Sequence, residues 1–253
     1  MNFKEQHYQK TPLLIANVWN VESAKIAQEF AFEAIGTSSS AIASMLGYND
    51  GEEMSFQELI YLVKRITESV SLPLTVDIEA GHDRNPIKII ENIKELSDYG
   101  VVGINIEDSL VNGVRQITDV DTFSKMLETI CSTLVQDKQD IFINVRTDTF
   151  LLNVPNKIEA TIKRATRYRD AGGQGLFVPC IEEVKDIRSV IQNIDLPLNV
   201  MCMPNLPDFT TLRKLGVKRI SMGNFLYKRV YGALSNLLRD VIKDDSFSNL
   251  VNL

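Results

Sequence analysis

Short apolar, β-branched runs alternate along the chain with longer segments whose apolar residues recur at helical spacing. The runs at 13–19 (LLIANVW), 34–39 (AIGTSS), 72–80 (LPLTVDIEA), 101–108 (VVGINIED), 141–148 (IFINVRTD), 175–181 (GLFVPCI), 196–202 (LPLNVMC) and 218–223 (KRISMG) read as strands. Segments 56–70, 87–100 and 181–194 carry the period of amphipathic helices, and 226–242 (LYKRVYGALSNLLRDVI) predicts a last one. In DYG-VVGI, DAGGQG-LFV and KLG-VKRI a glycine stands before the next strand, capping one helix and feeding the chain onward. Eight strands, each followed by a helix, in 253 residues predict a (β/α)8 barrel, the TIM barrel. A doubly wound open sheet is the alternative, but NVWNVES is not the glycine-rich phosphate turn that normally follows its first strand. No linker, charge block or low-complexity stretch divides the sequence, so a single domain over 1–253 is expected.

Composition narrows the partners more than the fold. With 44% hydrophobic and 24% charged residues the balance is that of an ordinary globular chain. A net charge of −6 argues against nucleic acid or an anionic membrane as the main partner. No apolar run is long enough to span a bilayer, and MNFKEQHYQK lacks the apolar core of a signal peptide, so a cytoplasmic location is expected. Cys131, Cys180 and Cys202 show no CxxC spacing and there are two histidines, which disfavours a thiolate or multi-histidine metal centre. A hard cation bound through oxygen stays open.

In such barrels the reactive groups gather at the C-terminal ends of the strands. Polar residues crowd there: Asn17 and Trp19, Ser38 to Ser40, Asp77 and Glu79, Asn105, Glu107 and Asp108, Asn144, Arg146 and Asp148, and Asn199. The stretch VDIEAGHD (76–83) is the most telling. Asp77 and Glu79, at i and i+2, are expected on one strand face, where like charges repel unless a cation, a basic side chain or a proton intervenes. With Glu107 on the next strand they form a candidate site for Mg²⁺, or Mn²⁺. The competing reading is a structural ion-pair network with Arg146 and nearby lysines. The fork of Arg146 suits a carboxylate or phosphoryl group, or else a salt bridge to Asp148 or Glu107. Ser38 to Ser40 offer hydroxyls and N–H groups to an oxyanion, unless they only make the strand-to-helix turn. His82 is expected to be a solvated turn residue, Cys180 a packed thiol, and His7 part of a polar N-terminal helix.

In order, NVWNVESAKIAQEFAFEAIGTSSSAIASMLGYNDG, VDIEAGHD, VGINIEDS and NVRTD resemble the motifs of the isocitrate lyase/phosphoenolpyruvate mutase superfamily over nearly the whole chain. The resemblance implies a (β/α)8 barrel whose eighth helix is swapped between subunits of a homodimer or homotetramer. It implies Mg²⁺-dependent chemistry on 2-oxo acids or their enolates. By it, Asp77 is the principal metal ligand, with Glu79 and Glu107 beside it. Ser38 and Ser39 meet substrate carboxylate and oxyanion, Asp50 is nucleophilic or positions water, Arg146 is a catalytic and substrate-binding arginine, and Trp19 borders the pocket. Asn199 completes the expected substrate contacts.

Two departures shift the expected reaction. The lyases' KxCGH loop after the fourth strand is replaced by IEDSLVNGVRQITDVDTF, a short loop without cysteine, and the sixth strand ends VPC instead of FPE. The expectation is a Mg²⁺-dependent enzyme that breaks a C–C or P–C bond in a small 2-oxo acid or phosphonate such as oxaloacetate or phosphonopyruvate. The alternatives are a C–C lyase of the 2-methylisocitrate lyase type with its acid drawn from elsewhere, and a catalytically silent oxo-acid-binding protein.

Overall fold

The structure, a computed structural model, describes residues 2–251. In chain order the elements are α1 (Phe3–Gln6), β1 (Leu13–Val18), α2 (Val21–Glu29), β2 (Ala34–Thr37), α3 (Ser39–Leu46), α4 (Phe56–Thr67), β3 (Leu74–Asp77), α5 (Pro86–Asp98), β4 (Val101–Glu107), β5 (Ser109–Asn112), β6 (Val114–Ile117) and α6 (Val120–Gln136). There follow β7 (Phe142–Arg146), α7 (Lys157–Asp170), β8 (Gly175–Phe177), α8 (Val184–Gln192), β9 (Leu198–Met201), α9 (Phe209–Leu215), β10 (Arg219–Ser221), α10 (Phe225–Asp244) and α11 (Ser248–Val251). Eight strands close into a parallel barrel in the order β1-β10-β9-β8-β7-β4-β3-β2, the (β/α)8 architecture expected from the alternation. Among the described residues no helix is long and apolar enough to cross a membrane.

Local chemistry sets the helix ends. Asn20 with Ser23 and Ser55 with Glu58 form reciprocal capping boxes on α2 and α4, and Pro86 takes the first position of α5, where its missing N–H costs nothing. The helices lay stripes such as Leu59, Ile60, Val63 and Ile66 onto the outside of the barrel. There they meet the outward residues of the strands, among them Val76, Ile104, Ile106, Val145, Leu176 and Val200.

Inward residues divide by height. Leu13, Ile15, Ala34 and Phe142 form a separate cluster that Phe3 of α1 plugs from below. Gly103 makes room for that plug, since a Cβ there would lie 2.8 Å from Phe3 Cε1. His7, just past α1, is buried and stacks on Phe142 at 4.0 Å. Above this apolar floor the same strands turn polar.

The structure departs from the sequence reading in two places. The third strand stops at Asp77, so Glu79 does not share a strand face with it; Glu79 sits in the following turn with φ +51. The loop after β4 folds back on itself as the antiparallel hairpin β5–β6, turning at Gly113 (φ +74). Among the described residues α10 has no fully buried side chain, and it leaves Val230, Leu234, Leu238 and Ile242 exposed.

Candidate active site

A cavity of about 270 Å³ opens at the C-terminal ends of the strands, lined among others by Ser38, Ser39, Asp50, Asp77, Asn105, Arg146, Cys180 and Arg219. Three adjacent strands supply much of the charge around it. Asp77 on β3 pairs in register with Asn105 on β4, and Glu107 on β4 pairs with Arg146 on β7. Carboxylates and guanidinium therefore arise from neighbouring positions on one inner wall.

Asp77 is held from several sides. Its backbone N–H donates to Thr37 Oγ1 at 2.8 Å, its Oδ2 accepts from Ser39 Oγ at 3.1 Å, and its Oδ1 accepts the Glu79 N–H at 3.2 Å. That last bond explains the positive φ of Glu79, because the turn folds its amide back onto the aspartate. Burial raises the Asp77 pKa against the pull of Arg146. Glu79 is pushed up to about 9 by burial first, then by the charges of Asp50, Asp77 and Glu107. Its Oε2 is buried without a hydrogen-bond partner among the described residues. Glu107 is driven upward by burial and by Asp148 while Arg146 and Arg115 hold it down.

Arg115 comes from the hairpin. Pairing opposite Val111 brings it back to the acids at the strand ends, where it bonds Glu107 Oε1, Ser109 Oγ at 2.9 Å and Asp50 Oδ2 at 3.1 Å. Arg146 meets Glu107 Oε2 at 2.8 Å, out of hydrogen-bond alignment, and grips Asp148 through Nε at 2.7 Å and Nη2 at 3.1 Å. The carboxylates of Glu107 and Asp148 thus have two arginines between them, and the salt bridges weighed as an alternative for Arg146 are both present.

The predicted residues separate into two groups. Asp50, Ser38, Ser39, Asp77 and Arg146 line the cavity, and the Glu79 and Glu107 charges bear on it. Ser38 spends its hydroxyl as the cap of α3, accepting from Ala41 N at 3.3 Å, as the ordinary turn reading anticipated. Trp19 and Asn199 lie outside the lining. Trp19 packs edge-on against Tyr227 at 5.2 Å, fixing the start of α10. Asn199 is fully committed within the barrel, bonding Val200 O, Ser221 Oγ and Asn144 Nδ2. Asp108 faces outward into a network with Thr147, Arg164 and Tyr168. His82 is half-buried against Phe56 rather than solvated. Cys180 packs against the core yet also reaches the rim, at φ +64.

The three acids do not close into a direct ligand set: among the described residues no three His, Cys, Asp or Glu side chains are placed to hold a metal ion together. The reason is visible in the turn that carries Glu79 off the strand and in the arginines that draw Glu107 aside. Mg²⁺ does not require such a set, since it is commonly held by one or two carboxylates and keeps several waters. Buried acids with raised pKa values and an orphaned Glu79 oxygen are a donor set short of positive charge, and they fit that ion.

Sequence reasoning passed over two residues. Arg115 had its signal in Val-Asn-Gly-Val, an Asn-Gly step between apolar residues that marks a hairpin. Arg219 stands at the start of its strand, away from the ends where functional groups are sought.

Residues 3–242 match the family described as phosphoenolpyruvate phosphomutase. The uncharacterized protein Rv1998c of Mycobacterium tuberculosis is 32% identical over 95% of this chain and 89% of its own length. Oxaloacetate decarboxylase of Pseudomonas fluorescens SBW25 is 26% identical over 94% of this chain and 82% of its own. The crystal structure of a candidate phosphonomutase from Burkholderia cenocepacia J2315 superimposes with a TM-score of 0.88 at 32% identity, covering 94% of this chain and 97% of that one. Fold, ordered motifs and these likenesses together place the chain in the phosphoenolpyruvate phosphomutase family, as a lyase or phosphonomutase-type enzyme of the isocitrate lyase/phosphoenolpyruvate mutase superfamily.

Proposed function

We propose that this is a cytoplasmic, Mg²⁺-dependent enzyme that cleaves the C–C or P–C bond at C3 of a small 2-oxo acid, with oxaloacetate or phosphonopyruvate as the type substrate. The observation that carries the reading is the buried Asp77–Glu79–Glu107 cluster beside Arg146, set against a cavity of about 270 Å³ that Asp77 and Arg146 line. Likeness to oxaloacetate decarboxylase over most of both chains supports the choice.

Asp77 would hold the cation, with Glu79 and Glu107 receiving its waters; Mn²⁺ suits the same donors. The bound ion supplies Lewis-acid charge to the 2-oxo carboxylate. Arg146, already orienting two carboxylates, keeps N–H groups for the substrate anion. Ser39, tied to Asp77, and the backbone at Ser38 face the developing oxyanion. Asp50, exposed at the rim and bonded to Arg115, is placed to position water. For oxaloacetate the C3–C4 bond breaks, CO₂ leaves with no electrons gained or lost overall, and C3 takes a proton from solvent. That route needs no thiol acid, consistent with a hairpin that carries none.

The test is pyruvate release from oxaloacetate and phosphonopyruvate, with and without EDTA, using Asp77→Ala to subtract decarboxylation by free Mg²⁺. EDTA-sensitive release above that control is expected, with no glyoxylate or succinate from isocitrate or 2-methylisocitrate. Robust cleavage of either tricarboxylate would overturn the reading in favour of the lyase alternative.

Assembly belongs to the same proposal. Among the described residues the stripe Val230, Leu234, Leu238 and Ile242 on α10 is left uncovered by its own barrel, which supports packing on a neighbouring copy as homodimer or homotetramer. A clean monomer in light scattering at micromolar concentration excludes it.

A further inference from the structure

The cavity floor holds a charge that the proposed chemistry does not use. Arg219, the first residue of β10, is 1% exposed yet lines the cavity, as does Ser221 two positions on. Both side chains therefore point inside the barrel. Arg219 Nη2 donates to Asn105 Oδ1 at 3.3 Å, while Nε and Nη1 are buried with no acceptor among the described residues.

The other interior arginines are not left this way. Arg146 has Glu107 and Asp148, Arg115 has Glu107 and Asp50, and Arg164 has Asp108. Burying a guanidinium without an anion costs several kcal/mol. The fold satisfies its neighbours and leaves this one without an anion at the wall of the cavity, where a ligand can supply one. The position is informative as well. Asn105, which Arg219 contacts, pairs across the sheet with Asp77. The Arg219 guanidinium thus reaches the residue that pairs with the carboxylate assigned to the cation.

We infer that Arg219 receives the second anionic group of the substrate at the cavity floor, and so makes the enzyme select doubly anionic 2-oxo acids over singly charged ones. The inference rests on the 2-oxo acid reading and deepens it. The shared chemistry is an anionic oxygen on the carbon side of the substrate, from a carboxylate or a phosphonate.

Titration calorimetry with Mg²⁺ present decides it, using 3,3-difluorooxaloacetate, phosphonopyruvate and pyruvate on wild type, Arg219→Gln and Arg219→Lys. Wild type is expected to bind at least one doubly anionic ligand tenfold or more tighter than pyruvate, and the better of the two identifies carboxylate or phosphonate. Arg219→Gln erases that preference while changing pyruvate affinity less than twofold, and Arg219→Lys retains part of it. If Arg219→Gln fails to fold, the lysine variant carries the comparison, since a moved charge shrinks the preference and a merely structural one does not. Equal losses for all three ligands, or an intact preference in the variants, overturn the assignment. A wild type that binds pyruvate as tightly as the others overturns it alone, whereas one that binds none of the three sinks the 2-oxo acid reading together with it.

Discussion

The two ends of the barrel treat polar groups in opposite ways, and they do so on the same strands. On β7 Phe142 faces the floor and Arg146, four residues on, faces the rim; on β1 the same step runs from Leu13 to Asn17. In the apolar cluster one titratable group, His7, gives up its charge, while Arg219 above it keeps one. His7 donates from Nδ1 to Phe3 O at 2.9 Å, its Nε2 has no partner among the described residues, and burial followed by the Arg219 charge pushes its pKa down to about 3. At the rim the charges are kept and set against each other, leaving Glu79 pushed up to about 9. The apolar cluster packs without any ligand, while the rim is left short of positive charge that a ligand can supply.

The comparison breaks most sharply at Asp77. Asp77→Asn should lower EDTA-sensitive turnover by roughly 10²–10³-fold or more, while shifting the melting temperature little. A variant with wild-type turnover removes the rim's role. Phe142→Ala is the mirror image: about 3–5 kcal/mol of stability lost by cavity creation, with kcat of the folded fraction unchanged. Denaturant unfolding beside single-turnover rates checks both halves.

Next comes pH, where the ends titrate in opposite senses. The unfolded chain protonates His7 near 6.5 and the folded chain only near 3, so stability is lost as pH falls below 6.5, about 2 kcal/mol by pH 5. Glu79 is raised from 4.5 to about 9, so its stabilising contribution is present at low pH and is lost as pH rises toward 9. Between pH 5 and 6.5 the two slopes oppose and roughly cancel, so melting curves in EDTA should be nearly flat there and fall from pH 6.5 to 9. His7→Phe should let stability keep rising down to pH 5, and Glu79→Gln should leave only a loss below pH 6.5; unchanged curves refute the assignments.

The smallest effect concerns the hairpin. Arg115→Gln removes a positive charge from Glu107 and Asp50, so Mg²⁺ should bind roughly tenfold tighter, about 1.4 kcal/mol. Weaker binding by calorimetry would instead mean that Arg115 orients Glu107 for the ion.

Much of this contrast was legible in the chain. Strand positions were, because each is an apolar run between capped helices, and β1 and β4 fall within a residue of the expected spans. Strand ends were not. LPLTVDIEA and GLFVPCI read on past Asp77 and Phe177, where Glu79 and Cys180 leave the ladder at positive φ. Periodicity cannot register that change, since the side chains stay the same while the backbone turns. The acids and Arg146 were found because they interrupt apolar strands near their ends. Arg219 interrupts one too, but at its beginning, and the tilt of a closed barrel lets a long side chain climb from there to the cavity. Trp19 and Asn199 sit where substrate contacts were expected, and neighbours made late in the chain, Tyr227 and Ser221, claim them first.

The uncovered stripe on α10 bears on how the enzyme behaves when diluted. Phe225 and Lys228, in the first turn of that helix, are part of the cavity wall, and Tyr227 between them rests on Trp19. If another copy supplies the missing cover, mass action governs both the helix and the wall it completes. Melting temperature then rises with protein concentration, and specific activity falls as an assay is run at ever lower enzyme levels.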